Sequence, residues 1–369
     1  MSSTVYCVGP RARGPQDNRS SKIARLFDAA GFSSLVGKDN LTAIKLHFGE
    51  RGSDTFIKPV HVRAVVDKVK DAGGKPFLTD TNTLYAGSRH NAVDHLETAE
   101  RHGFGFGPMG APLLIADGLL GDNEKELAIP GRHFQTVRIA GAIVRAEAMI
   151  VLSHFKGHEM AGFGGAIKNL AMGCATGAGK RDQHTPRFAV NAETCIGCGE
   201  CERVCPVGAA CVGDDGRAAI DKTLCIGCGE CYIHCPEKAV DVDWLTSIPP
   251  FMERMTEYAL GAVQGKKDKV GFINFLYNIT PDCDCLPWSD SPIVADIGIL
   301  ASTDPVALDQ ACFDLVNRQP GLPGSHLGCN HGCGENKFKG LWPHTEPEMQ
   351  LSYGEAIGLG SRRYALVEL

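Results

Sequence analysis

No run of the chain reaches the roughly 18 apolar residues that a membrane-spanning helix needs; "MIVLSHF" and "VGFINFLY" have the length of buried strands instead. The opening "MSSTVYCVGPRARGPQDNRSSK" has no apolar stretch of signal-peptide length. A basic excess is missing too: 37 Lys and Arg stand against 43 Asp and Glu, a formal net charge of −6. That is the wrong sign for a nucleic-acid binder and only weakly suited to a basic partner surface. No long low-complexity linker interrupts the chain. Without an export signal, the 16 cysteines fit metal ligands in a reducing compartment better than a disulfide framework. The expected location is the cytoplasm, with no membrane span and no nucleic acid.

The chain does have 369 residues, enough for one large or two medium domains. Its 43% hydrophobic and 22% charged content is that of an ordinary globular protein. Glycine is abundant, at 44 residues, and gathers in "GFGFGPMG", "GHEMAGFGGAIKNLAMG" and "HLGCNHGCGENKFKG". In such places the backbone turns tightly or approaches something closely.

Strand patterns at 42–48, 75–81, 111–118, 133–140 and 146–155 alternate with helical patterns at 59–74 and 91–104. After an interruption the same grammar resumes, with a helix at 250–264, strands at 269–279 and 291–302, and a helix at 304–321. Asp304 is the expected N-cap of that last helix and Pro305 lies in its first turn. Alternation of this kind predicts an α/β fold with a mostly parallel sheet and flanking helices. The interruption, 187–245, is short, cysteine-dense and internally repeated. The expected organisation is one discontinuous α/β domain, 1–186 with 246–369, and a small α+β insertion at 187–245.

The insertion contains "CIGCGECERVCP" from Cys195 and "CIGCGECYIHCP" from Cys225. Each has the spacing C-x2-C-x2-C-x3-C-P, in which three thiolates wrap one cubane and the fourth ligates the other cluster. The spacing assigns Cys195, Cys198, Cys201 and Cys235 to one [4Fe–4S] cluster, and Cys225, Cys228, Cys231 and Cys205 to a second. A pair of zinc sites is the competing reading, but zinc ribbons present two C-x2-4-C pairs rather than this run. Residues 190–243 resemble bacterial two-cluster ferredoxins. Two nucleotide-like motifs fail on context: "GFGPMG" (105–110) leads from helix to strand, and "ATGAGKR" (175–181) lacks the first glycine and the final Ser or Thr of a phosphate loop.

Outside the insertion, "SHFKGHEMAGFGGAIKNLAMGC" (153–174) is the most informative stretch. A buried strand delivers His154, and a glycine-rich turn then opens a short apolar helix near Gly165. Amides at such a helix start favour an anion, and glycines such as Gly162, Gly164 and Gly165 permit close approach. Lys168 and Asn169 follow one turn in. His154 and His158 are candidate ligands or proton donors. The competing reading is a structural corner whose histidines only hydrogen-bond. Lys45, His47 and Glu50 in "IKLHFGERG", and Asp80, Thr81 and Asn82 in "FLTDTNTLY", end two further strands, and parallel sheets bind ligands at that end.

"KLHFGE", "FLTDTNTLY", "IVLSHFKGH", "GFGGAIKNLAMGC" and "DIGILASTDPVALDQA" together resemble the iron–sulfur centre proteins grouped as domain of unknown function 362. The likeness covers nearly the whole chain and implies an α/β domain with iron–sulfur redox work. "GFGGAIK" alone is similar to the glycine–lysine loop of nickel-pincer lactate racemases, with Lys168 as the corresponding lysine. In the tail, His326, Cys329, His331 and Cys333 have the density of ligands. Cys283 and Cys285 of "PDCDCLP" either meet them in space or form a redox pair. Cys7, Cys211 and Cys312 read as small buried residues.

The expected function is electron relay through two clusters, between a redox partner protein and a strand-end site. That site would bind an anionic substrate or a phosphate-bearing cofactor, with flavin and a further metal as candidates. Lys45, His47, Glu50, Asp80, His154, His158 and Lys168 are the expected catalytic groups. Gly162, Gly164, Gly165, Lys168 and Asn169 are the expected cofactor contacts. A non-catalytic electron carrier, or a metal-cofactor assembly protein whose α/β domain docks a partner, is the alternative.

Overall fold

A computed structural model describes residues 2–85, 87–184, 187–225, 230–243, 248–266 and 268–369. The chain divides into two compact units, 1–179 with 252–369, and 180–251.

In the larger unit the described residues form an eight-stranded main sheet. Its strands, in chain order, are β1 (Ser3–Val8), β2 (Leu41–Lys45), β3 (Lys75–Asp80), β4 (Leu113–Ile115), β5 (Ala148–His154), β6 (Val270–Leu276), β7 (Gly298–Ser302) and β8 (Tyr364–Glu368). The spatial order is β8-β1-β7-β6-β5-β2-β3-β4. All neighbours are parallel except that β7 runs antiparallel to both β1 and β6. The sheet is thus mostly parallel and flanked by helices. Every residue of "AMIVLSH" in β5 and "VGFINFL" in β6 is buried, as continuous apolar runs in a sheet covered on both faces require.

The flanking helices follow from local signals. The first is α1 (Arg19–Ala29), with the Asn18 side chain accepting from the Ser21 amide as its cap. Next, α2 (Pro59–Asp71) starts on proline, buries Val62, Val65, Val66 and Val69, and ends before Gly73, whose φ of +88° suits glycine. Then come α3 (Ala92–Arg101), α4 (Ala166–Cys174) and α5 (Pro305–Asn317), the last capped by Asp304 on the amides of Val306 and Ala307. Side chains alternate across a strand. Ile44, Ile150 and Ile273 therefore join α1 and α2 in one core, while Lys45 and Asn274 point to the other face and meet α4 and α5.

Two strand expectations need correction. Thr136–Ala140 is a strand, but it lies outside the main sheet: it pairs with Glu124–Ala128 in a separate hairpin and makes one isolated bridge from Ile139 to Ala175. It buries Val137, Ile139 and Ala140, while its charged partner "EKELA" is largely exposed. The last internal strand begins at Gly298 rather than at 291.

The chain leaves β2 for β3 and β4 on one side, and leaves β5 for β6 on the other. The carboxyl ends of the adjacent strands β2 and β5 therefore flank a topological switch point, where open α/β sheets bind ligands.

The smaller unit is built from two similar halves. Arg187–Val190 pairs antiparallel with Val240–Asp243, and Ala210–Val212 with Ala218–Ile220. Short helices at Glu200–Val204 and Glu230–His234 contact each other. The halves share their hydrogen bonding: Asn191 N donates to Ala239 O and Asp221 N to Ala209 O, both at 2.7 Å. Cys195 N donates to Asn191 O at 3.0 Å and Cys225 N to Asp221 O at 2.9 Å. The buried core is small, with Phe188, Ala210 and Val240 beside Cys201 and Cys231. Among the described residues no helix is long and apolar enough to cross a membrane.

Candidate functional site

In the smaller unit, Cys195, Cys198 and Cys201 of the first cassette and Cys235 of the second line one cleft, partly open to solvent. Backbone amides point at the sulfurs. Ala209 N donates to Cys205 Sγ at 3.1 Å, Ala239 N to Cys235 Sγ at 3.2 Å and Ala218 N to Cys195 Sγ at 3.4 Å. Burial pushes the Cys205 thiol up, but the amides of Val207, Ala210, Ala209 and Gly208 outweigh it and hold the group below its ordinary value. For Cys201 burial dominates, and its thiol is raised. Gly197, at φ +66°, has no room for a side chain: a Cβ would fall 2.1 Å from Gly216 O. Cys225 and Cys231 belong to the same core as Cys205, whereas Cys228 lies outside the described residues. The donor set fits iron–sulfur clusters in chemistry: four thiols from both cassettes line one cleft, and backbone amides donate to the sulfurs of Cys195, Cys205 and Cys235.

At the switch point of the larger unit the structure brings most of the expected strand-end residues together. Lys45, at the end of β2, is fully buried; its Nζ lies 3.0 Å from Asp80 Oδ1 and donates to Asn169 Oδ1 at 2.6 Å and Leu46 O at 3.2 Å. The stem runs under α4 where Gly173 leaves room, since a Cβ there would fall 2.2 Å from Nζ. Asp80 also faces Arg89 Nη1 at 3.8 Å and His95 Nε2 at 3.9 Å. Burial alone would raise its carboxyl, but Lys45 and then His47, His95 and Arg89 hold it far below the carboxylate range.

Glu50 accepts from Arg89 Nε at 3.0 Å, from Ser88 N at 2.7 Å and from the Ser88 hydroxyl. Burial would raise it, yet Arg89 and Ser88 hold it below its ordinary value. Arg89 is only 2% exposed and also donates to Tyr85 OH at 2.6 Å. Nothing in "AGSRHNA" marks it beforehand. It joins the carboxylates of Asp80 and Glu50, each of which would be costly to bury unpaired.

His154, at the end of β5, is engaged on both ring nitrogens. Nδ1 faces Asp284 Oδ1 at 2.9 Å and Oδ2 at 3.0 Å, and Nε2 faces the carbonyls of Tyr277 at 2.9 Å and Asn278 at 3.0 Å. Both nitrogens meet only acceptors here. Asp284 in turn lies 3.3 Å from Lys156 Nζ, which also donates to His154 O at 3.0 Å. Burial would raise Asp284, but His154 and Lys156 hold it well below the usual range. His158 Nδ1 accepts the amides of Met160 and Ala161 at 3.1 and 3.2 Å, closing the hairpin between Lys156–His158 and Gly162–Gly164. His47 is half-buried; its Nδ1 accepts Gly49 N at 2.9 Å, so the neutral ring carries its proton on Nε2. Dense packing and Arg89 keep that ring neutral, well below its ordinary value.

The anion cradle expected at Gly162, Gly164 and Gly165 needs correction. The first amides of α4, at Ala166 and Ile167, already donate to Asp309 Oδ1 and Oδ2 at 2.8 and 2.9 Å. The helix start thus holds an anion, but it is the protein's own carboxylate, delivered by α5. Gly165 is glycine because a Cβ would fall 2.4 Å from Asp309 Oδ1, and Gly162 because one would fall 2.6 Å from Pro347 Cβ. Burial pushes Asp309 up to about 6, against the pull of those two amides and of Asn274. Asn169 is spent as well, on Lys45, Leu152 O and Ser153 Oγ.

Lys168 turns instead to the loop after β6. Its Nζ lies 3.6 Å from the sulfur of buried Cys283. Neighbouring Cys285, with Lys168 and Lys156 and against the cost of burial, holds Cys283 well below its ordinary value. Cys283 and burial push Cys285 well above its own. The Cys283/Cys285 pair therefore sits at the strand ends. In the tail, Cys329 and Cys333 are exposed, whereas His326 lies against Trp342 at 5.7 Å between ring centroids and near enough to Asp282 to act on its charge. Among the described residues no three His, Cys, Asp or Glu side chains converge as around a single metal ion.

No curated protein matches the chain. Among solved structures, the lactate racemase apoprotein from Thermoanaerobacterium thermosaccharolyticum is similar at 11% identity and a TM-score of 0.41, over 75% of this chain and 51% of that one. The chain thus spans about half the length of that protein. The domain of unknown function DUF362 matches residues 42–314, most of both units. This chain belongs to the DUF362 family.

Proposed function

We propose that this protein is an iron–sulfur redox protein of a reducing, cytoplasmic compartment. Cys195, Cys198, Cys201 and Cys235 would hold one [4Fe–4S] cluster, and Cys225, Cys228, Cys231 and Cys205 the other. The reading is carried by one observation: three cysteines of one cassette and the fourth of the other line a single cleft, as the crossed ligation of a two-cluster ferredoxin demands. The strand pairing of first with last and second with third supports an inserted α+β ferredoxin-like module. So does the core, too small to hold about 70 residues without a staple. Bound clusters supply one-electron transfer, and a redox partner protein would deliver or accept the electrons.

In the α/β unit, the reading places an anionic small molecule beside Lys168 and His47, both only partly buried. Lys168 contributes positive charge, and neutral His47 offers Nε2–H to a substrate oxygen. Lys45, Glu50, Asp80, Arg89 and Asp284 fix the charge and shape around them rather than react. A flavin phosphate loses its support at the α4 start, where Asp309 already sits. A second reading, an electron carrier or assembly protein whose α/β unit docks a partner, is favoured by the pairing of Lys45, Glu50, Asp80 and His154 with buried neighbours.

Anaerobic purification with iron, acid-labile sulfide and electron paramagnetic resonance measurements tests the cluster assignment. About eight irons per chain are expected from two cubanes; a zinc-loaded chain without sulfide would refute it. Calorimetric screening of small carboxylates and phosphates separates the two readings. Binding lost in Lys168→Gln supports the enzyme, and no binding by any anion supports the carrier.

A further inference from the structure

The thiols of Cys283 and Cys285 are used by neither reading. The geometry of their turn is unusually constrained. Leu286 N donates to Cys283 O at 3.1 Å, so the two cysteines take the first and third positions of a closed turn, and a turn draws such positions together. The loop is pinned from several sides. Trp342 Nε1 donates to Pro281 O at 3.1 Å, Tyr85 OH to Cys285 O at 3.2 Å and Gly157 N to Thr280 O at 2.8 Å. Asp284, between the two thiols, is locked by His154 and Lys156. Both cysteines are free thiols in this structure, Cys283 buried and Cys285 half-buried.

A cysteine pair in a packed interior is inert when its surroundings are apolar. This pair has an ammonium 3.6 Å from one of its sulfurs. Metal binding does not explain the arrangement. Among the described residues no third His, Cys, Asp or Glu completes a site, and Lys168, 3.6 Å from Cys283 Sγ, stands where it would repel a cation.

We propose that Cys283 and Cys285 are a two-electron dithiol–disulfide couple that reduces a small disulfide at the strand-end site, with Lys168 stabilising the resolving thiolate. Cys285 is the more accessible sulfur and makes the first attack. Its proton passes to the Cys283 thiolate, its sulfur bonds to one sulfur of the disulfide RSSR, the S–S bond breaks and RS⁻ leaves. Cys283 then gives up the proton to that thiolate and attacks Cys285 Sγ, expelling the second RS⁻. The sum is RSSR plus one thiolate and one thiol of the protein, giving the Cys283–Cys285 disulfide, RS⁻ and RSH. Two electrons move from the protein to the substrate. The inference rests on the α/β unit alone and is independent of whether clusters are bound.

The test is an anaerobic titration of the full-length protein with mixtures of oxidised and reduced glutathione. Thiols are alkylated after equilibration, and the peptide containing both residues is identified by mass spectrometry. The expected result is one transition with a two-electron slope, in which this peptide loses both alkyl groups and two hydrogens together. Cys283→Ser should stop at a glutathione adduct on Cys285, and Lys168→Gln should slow the second step in the otherwise native sequence about tenfold or more, by reducing the thiolate fraction. If the wild-type peptide stays doubly alkylated at every ratio, or forms the bond only after the protein is unfolded in denaturant, the proposal fails. An adduct found on Cys283 in Cys285→Ser, with none on Cys285 in Cys283→Ser, overturns the assigned order of attack. Iron content is read separately on the same samples, so loss of the cluster assignment leaves this result interpretable.

Discussion

Replacing Lys45 by methionine keeps most of the volume of the stem and removes the ammonium that faces Asp80 at 3.0 Å. The carboxylate is then left with Arg89 at 3.8 Å and His95 at 3.9 Å, and Asn169 loses the donor to its Oδ1. Removing one partner of a buried ion pair costs about 3–5 kcal/mol, chiefly because the other charge is stranded. The remaining cations around Asp80 put Lys45→Met at the lower end, about 3 kcal/mol. Asp80→Asn in the same background removes the stranded charge, so the double variant should lose less than the sum of the singles, by about 1–3 kcal/mol. Urea unfolding followed by tryptophan fluorescence checks this: the midpoint should fall while the slope of free energy against denaturant stays constant. A loss below about 1 kcal/mol for Lys45→Met, or strict additivity in the cycle, would show that the pair does not hold the strand ends together.

Three further outcomes are expected. Asp309 has its carboxyl raised to about 6, so the native state binds that proton more tightly than the unfolded chain does. Its contribution is fully present below about pH 4 and is lost as pH rises through 6; Asp309→Asn should flatten the decline in Tm between these limits, and an unchanged profile would count against the burial argument. Gly197→Ala forces a side chain into φ +66° and against Gly216 O, which should cost about 1–3 kcal/mol for the backbone alone and sharply lower the iron retained after gel filtration. Cys198→Ser should halve the iron of anaerobically reconstituted protein while sparing the second cluster, as spectroscopy of the remaining iron would report; full retention would remove Cys198 from the ligand set.

Much of the architecture is legible in the linear chain because it depends on local rules. Alternating strand and helix patterns announce a mostly parallel sheet, Pro59 and Asp304 mark helix starts, and the repeated cysteine spacing singles out the insertion. The polar strand ends are legible too, since Lys45, Asp80 and His154 do close the strands β2, β3 and β5. Their partners are not. Arg89 lies in an unremarked loop, and Asp284 is hidden between two cysteines. Lys156 sits within a quoted motif without drawing notice. Asp309 left one trace, a carboxylate in the apolar helix "VALDQACF", which signals a buried partner elsewhere.

What the sequence determined by itself was therefore the menu of elements and the chemistry available: the thiols, their spacing, and charged groups at the ends of apolar strands. Tertiary structure decided how that chemistry is used. A glycine-rich helix start favours an anion whatever its source, and only the packing of α5 against α4 fills it with Asp309, more than 140 residues away. The Cys283/Cys285 pair could have joined the tail thiols or stood alone. Its meeting with Lys168 follows from the parallel pairing of β5 and β6, which brings the helix after one strand and the loop after the other to the same edge of the sheet. Contacts of this range depend on the register and order of strands, and no local pattern encodes them.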